Sequence, residues 1–138
     1  MNKICTDVKQ SKKLVELGLD ISTADMHYNL SVDNKVRMLS VGSPSVLFGD
    51  VTIPAWSLSA LMDLMPPIAY NYPVLQRSAD HQYHYGETYN KWFISYVDLN
   101  IHGAHRPYRT AFYENPIDAA YSMIIFLIEQ GYFKTEKK

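Results

Sequence analysis

Two histidine pairs share one spacing: His81 and His84 in DHQYHY, and His102 and His105 in HGAH. Zinc needs three or four ligands aimed at one point, and paired histidines reach one ion when they stand two apart on a strand face or four apart on a helix. A separation of three on an extended backbone meets neither condition, because alternate side chains leave a strand on opposite sides. His81 and His84 therefore do not chelate together. His102 and His105 flank Gly103 and Ala104 in a turn and would need His84, Asp98 or Glu114 to complete a site. The expectation is no metal and no cofactor. Cys5 is the only cysteine and has no assigned histidine partner, and neither Gly-x-Ser-x-Gly nor His-Glu-x-x-His occurs. No catalytic residue is assigned.

Aromatic side chains suggest a different chemistry. There are 11 tyrosines, and Tyr83, Tyr85, Tyr108, Arg106 and Arg109 form a candidate interaction surface in the β region. Sheets that hold single-stranded nucleic acid stack bases on aromatic rings beside cations. Against that, 13 basic and 14 acidic side chains leave a formal charge of −1, which supplies little attraction for phosphates. Tyrosines also suit half-buried strands and pair across them without any ligand.

The elements that would carry these residues are readable in part. TDVKQSKKLVELGL offers Thr6 or Asp7 as helix cap, with Gln10 three residues after Asp7, and Gly18 as a left-handed stop, which predicts a helix over 7–17. ADMHYNLS and NKVRMLS alternate around Asp33 and Asn34 as an N-terminal hairpin. Residues 41–50 gather glycine, proline and serine and read as a loop; no phosphate-binding motif is present. In IPAWSLSALMDLMPP, Ser57 caps a short helix that Pro66 and Pro67 end, with Trp56 and Leu61 placed as a hydrophobic staple. From 70 to 114 the pattern is β: HQYHY, KWFISYVD and YRTAFYE form a three-stranded meander, its middle strand apolar on both faces and hence central.

The last element has the strongest signals. Asn115 as cap, Pro116 at the first turn, Asp118 at the third position and Gly131 past the end predict a helix over 116–130. Ile117, Tyr121, Ile124 and Ile128 make one apolar stripe, and Ala119, Met123 and Phe126 make another. Cover that wide calls for burial on two sides, by other elements or by a second copy of the chain. Ala119, Met123 and Phe126 are the candidate oligomer face.

A chain of 138 residues with 47% hydrophobic and 20% charged residues is long enough for one core and too apolar for a disordered polymer. The reading is a single α+β domain over 1–138, an antiparallel sheet (the meander plus the hairpin) packed against about three helices. No apolar run approaches the roughly 20 residues of a membrane span, and the first residues show no signal-peptide pattern, so the cytoplasm is the expected address.

TADMHY (23–28), IPAWSLSALMDLMP (53–66) and NPIDAAYSMIIFLIEQGYFKT (115–135) together resemble a group of small uncharacterised proteins of Bacteroidetes prophages and mobile elements. The resemblance implies a genomic setting and no catalytic residue. The expected function is that of a non-enzymatic accessory protein acting through contacts with an unidentified protein partner, a homodimer through the last helix being one form of it. Binding of single-stranded nucleic acid by the tyrosine-rich sheet is the alternative.

Overall fold

The computed structural model describes residues 3–30, 36–42, 51–68, 71–78, 91–98 and 109–132. Helix α1, Val8–Glu16, starts at a full capping box: the Asp7 carboxylate accepts from the Gln10 amide at 2.8 Å, and the Gln10 side chain accepts from the Asp7 amide at 3.1 Å. It stops where Gly18 turns left-handed (φ +92°). The Gly18 and Leu19 amides then close back on Val15 and Leu14 at 3.0 Å each, which satisfies carbonyls the helix would leave bare.

Strands β1 (Met26–Leu30), β2 (Val36–Val41) and β3 (Val51–Ala55) form an antiparallel sheet in the order β2-β1-β3. Tyr28 stands opposite Leu39 on one side and Ile53 on the other. The expected hairpin thus supplies two strands of a three-stranded sheet, and β3 is an addition to it. Pro54 hides β3 from a pattern reading, since proline withholds a ladder donor; the strand tolerates it by lying at the sheet edge. The predicted turn at Asp33 and Asn34, and residues 43–50 of the predicted loop, lie outside the described residues.

Helix α2, Leu58–Leu64, is capped as predicted by Ser57, whose hydroxyl accepts from the Ala60 amide at 3.2 Å. Asp25 in turn receives the Ser57 amide at 2.9 Å and the Ser57 hydroxyl. Trp56 is fully buried in the same cluster as Leu61, and its indole N–H donates to Thr23 Oγ1 at 2.9 Å.

The second sheet differs from the expected meander. Strand β4, Asn71–Ser78, pairs antiparallel with β5, Lys91–Asp98, so the first strand runs earlier than HQYHY, which lies outside the described residues. Pro73 sits in β4, an edge strand among the described residues, and conceals it as Pro54 conceals β3. YRTAFYE is corrected too: within it, residues 109–113 meet β5 only at two bridges, Trp92 with Tyr113 and Ser95 with Arg109. Three steps on β5 face four on that segment, so one residue is extra. At the misfit the Thr110 hydroxyl stands in for a carbonyl, accepting from the Ile94 amide at 3.0 Å while the Thr110 amide donates to Ile94 O at 2.9 Å. Strand β5 is flanked on both sides, as the sequence implies, and Phe93, Ile94, Ser95 and Tyr96 are all buried.

Helix α3, Pro116–Glu129, is capped by the Asn115 side chain and closed by Gly131 (φ +80°), with the Tyr132 amide bonded to Leu127 O at 2.9 Å. Its Ile117, Ala119, Ala120, Met123, Ile124 and Leu127 are buried against α2, β5 and the residues around α1. The chain's own elements therefore cover parts of both apolar stripes. Among the described residues no helix is long and apolar enough to cross a membrane.

The Thr110 substitution for a carbonyl predicts an asymmetry between two variants. Thr110→Val leaves a buried amide unpartnered and lowers stability by about 1–2 kcal/mol, whereas Thr110→Ser keeps the acceptor and costs well under that. Urea unfolding of both variants measures the difference.

Candidate functional site

The capping signals at the starts of α1 and α3 meet in space. Asp118, in the first turn of α3, receives Lys3 Nζ at 2.7 Å and Gln10 Nε2 at 2.8 Å on Oδ1, and Asn115 Nδ2 at 2.8 Å on Oδ2. Lys3 also reaches Asp7 at 3.2 Å. Gln10 thus completes the cap of α1 with its carbonyl and supports α3 with its amide. Burial pushes the Asp118 carboxyl up, but the hydrogen bonds from Lys3, Gln10 and Asn115, together with the Lys3 charge, outweigh it and hold the pKa below its ordinary value.

Around this node the outward side of α3 lies in a chain of hollows. One of about 440 Å³ is lined by Lys3, Gln10, Asp118, Tyr121 and Ile125. A second of about 330 Å³ lies between α3 and residues 109–113, lined by Arg109, Thr110, Met123 and Phe126. Tyr113 and Ser122 line both, and the Tyr113 hydroxyl donates to Ser122 Oγ at 3.0 Å across the divide. A third, of about 440 Å³, is edged by Lys9, Lys12 and Lys13 of α1 and shares Tyr121 with the first. Such a surface offers aromatic contact, apolar contact at Ile125 and Phe126, and charge at its rim.

Groups with nucleophilic or acid–base potential are engaged elsewhere. Cys5 is buried, with its sulfur 3.4 Å from the Tyr28 hydroxyl, which donates to Thr6 O at 2.8 Å. Burial raises the thiol's pKa more than the Tyr28 contact lowers it, so the reactive thiolate is disfavoured. The Ser57 hydroxyl and the Asp25 carboxylate are held in the cap of α2. His27 Nδ1 lies 2.8 Å from Gly42 O. Among the described residues no group of three or more His, Cys, Asp or Glu is placed to hold a metal ion.

Of the predicted interaction surface, Tyr83, Tyr85, Arg106 and Tyr108 lie outside the described residues, as do His81, His84, His102 and His105. Arg109 is exposed, with its guanidinium 5.2 Å from the centre of the Phe112 ring. On the predicted oligomer face, Ala119 and Met123 are buried in the chain's own core, and Phe126 is half-buried. Arg109 and Phe126, drawn from two separate expectations, line the same hollow. Lys3 and Ser122 carry no sequence signal for this site, because their partners are fixed by the tertiary fold; Tyr113 stands out only as one of the clustered tyrosines of the β region. No protein-family model, curated protein or solved structure matches the chain, so geometry alone carries the functional argument.

The node has a pH signature. Because the folded-state pKa of Asp118 lies below its unfolded value, its contribution is present above the ordinary carboxylate range and is lost as pH falls through the folded value. Asp118→Asn is expected to be less stable than the parent by about 1 kcal/mol at neutral pH, allowing for partial exposure. That gap closes below about pH 4. Urea midpoints at neutral and acid pH for both proteins check this.

Proposed function

We propose that the protein is a non-enzymatic accessory protein that acts by contacting another protein, with the outward stripe of α3 as its contact face. What carries the reading is the row Tyr121, Ser122, Ile125 and Phe126, half-buried and lining hollows between α1 and residues 109–113. Aromatic and aliphatic side chains at the centre with charges at the edge match the anatomy of protein interfaces. The structural employment of Cys5, Ser57 and Asp25 supports a non-catalytic role. The setting in a phage or mobile element rests on the sequence resemblance alone. A second copy of the chain as partner would meet Phe126 and this row, since Ala119 and Met123 are already covered.

Binding of single-stranded nucleic acid is the second reading. It is favoured by Arg77, whose guanidinium lies 5.5 Å over the Trp92 ring and sets a cation beside an aromatic ring on one face of the second sheet.

Affinity capture from the native host, with and without nuclease, separates the two. The protein-contact reading expects a partner that survives nuclease and is lost with Ile125→Glu at an unchanged melting temperature; recovery abolished by nuclease overturns it in favour of nucleic acid. Light scattering of the purified protein identifies the homodimer version, since Ile125→Glu then converts a dimer mass to a monomer mass.

A further inference from the structure

We infer that the contact face continues onto α1, where Lys9, Lys12 and Lys13 take the carboxylates of an acidic segment of another protein. The inference rests on the reading that a protein partner is contacted, and gives that partner its chemistry. Lys9, Lys12, Lys13 and Glu16 share one face of α1 at the spacing of successive turns, and with Tyr121 they edge the hollow of about 440 Å³. All three lysines are exposed. Lys3 is committed to Asp7 and Asp118, and Lys91 to Glu114 at 3.3 Å. By contrast, Lys9, Lys12 and Lys13 have no ion-pair partner among the described residues, Glu16 included. Lysine placed one turn before glutamate is the weaker order for a helix pair, and like charges one turn apart, as at Lys9 and Lys13, work against the helix that carries them. A chain of formal charge −1 thus gathers three lysines against a single glutamate on one hollow.

The extent of the patch selects the occupant. Residues 9–13 span ~6 Å of helix axis, with Asp7 at the cap and Glu16 beyond the far end. A nucleic-acid backbone carries charge along its whole length and would run from the lysines onto those carboxylates; two or three acidic side chains from one turn of a peptide fit between them. Tyr121 is half-buried and lines both this hollow and the one that holds Ile125, so the charged patch is continuous with the apolar row on α3. Its hydroxyl has no hydrogen-bond partner among the described residues. Burial, and after it the charge of Asp7, raises the Tyr121 pKa, so the phenol keeps its proton and can donate to a carboxylate.

The test titrates the isotope-labelled full chain and follows amide NMR shifts. The probes are a short peptide with Glu and Leu one helical turn apart, the same peptide with Gln for every Glu, and oligothymidine of matched length. The acidic peptide is expected to bind with Kd on the order of 1 mM or below, to shift the amides of 9–16 and 121–125, and to weaken severalfold between about 0.05 M and about 0.3 M salt. The triple variant Lys9→Gln, Lys12→Gln, Lys13→Gln weakens it by about tenfold, and Lys12→Gln alone by about twofold, as loss of exposed charge contacts requires. Neither variant melts below the parent, because glutamine suits an exposed helix as lysine does and like-charge crowding is relieved. Equal binding of the Gln peptide, affinity unchanged by the triple variant, tighter binding of oligothymidine at the same amides, shifts confined to other regions, or no shifts at all overturns the assignment. So does a dimer in light scattering that the triple variant converts to a monomer, which gives the face to a second copy. Ile125→Ser, which adds no charge, separates this inference from the α3 reading. Peptide binding lost with the triple variant but kept with Ile125→Ser upholds the acidic occupant and removes the α3 stripe from the face; the reverse pattern keeps the stripe and overturns the acidic occupant.

Discussion

A helix that is apolar around most of its circumference has to be enclosed, and in this chain α3 imposes that requirement on everything else. It supplies six of the fourteen residues of the continuous buried cluster; the others come from α1, α2, β5 and the segments beside them. Strand β5 can serve as one wall because it is buried on both faces. Helix α2 serves as another. What remains outward is a narrow arc of α3, and its width is set by how many positions the core has already taken.

Polar chemistry at the ends of the helices then fixes how that arc is presented. Asp118 faces Lys3 and Gln10, so the beginning of α3 is tied to the beginning of α1 through a carboxylate whose ionised form is favoured. At the other flank the Thr110 hydroxyl holds residues 109–113 against β5 where a regular ladder fails. The hollows beside α3 exist because these two flanks stand away from the helix while remaining anchored to it. Tyr113 and Ser122 bridge the gap at one point and divide it.

Legibility in the sequence followed the range of the interaction. The capping box of α1, the caps of α2 and α3 and the left-handed glycines at 18 and 131 are decided within a few residues, and each stands where its signals lie. The α+β class followed from the same signals. Strand β3 escaped notice, and β4 was set too late within the stretch read as β, because Pro54 and Pro73 argue against a strand unless its edge position is known, and edge position is a property of the sheet. The 109–113 segment has the tyrosines and alternation of a strand, but its one extra residue becomes visible only against β5. The candidate site was the least legible part: Lys3 and Asp118 are 115 positions apart, and neither type is unusual in its local context. Arg109 and Phe126 were both singled out, for reasons that gave no hint of their common hollow.

The separation between Lys3 and Asp118 also bears on how the molecule comes together on the ribosome. Closing a loop of that span costs about 4 kcal/mol in chain entropy before any contact is made. Helix α3 follows every other described element in the chain, so α1, α2 and β5 emerge with their shared apolar sides still open. During synthesis α2 lacks its main packing partner, β5 lacks the helix that covers one face, and α1 lacks the carboxylate that steadies its start. Completion is therefore a late, cooperative event, and the nascent chain carries exposed hydrophobic surface until residues 116–129 have cleared the exit tunnel.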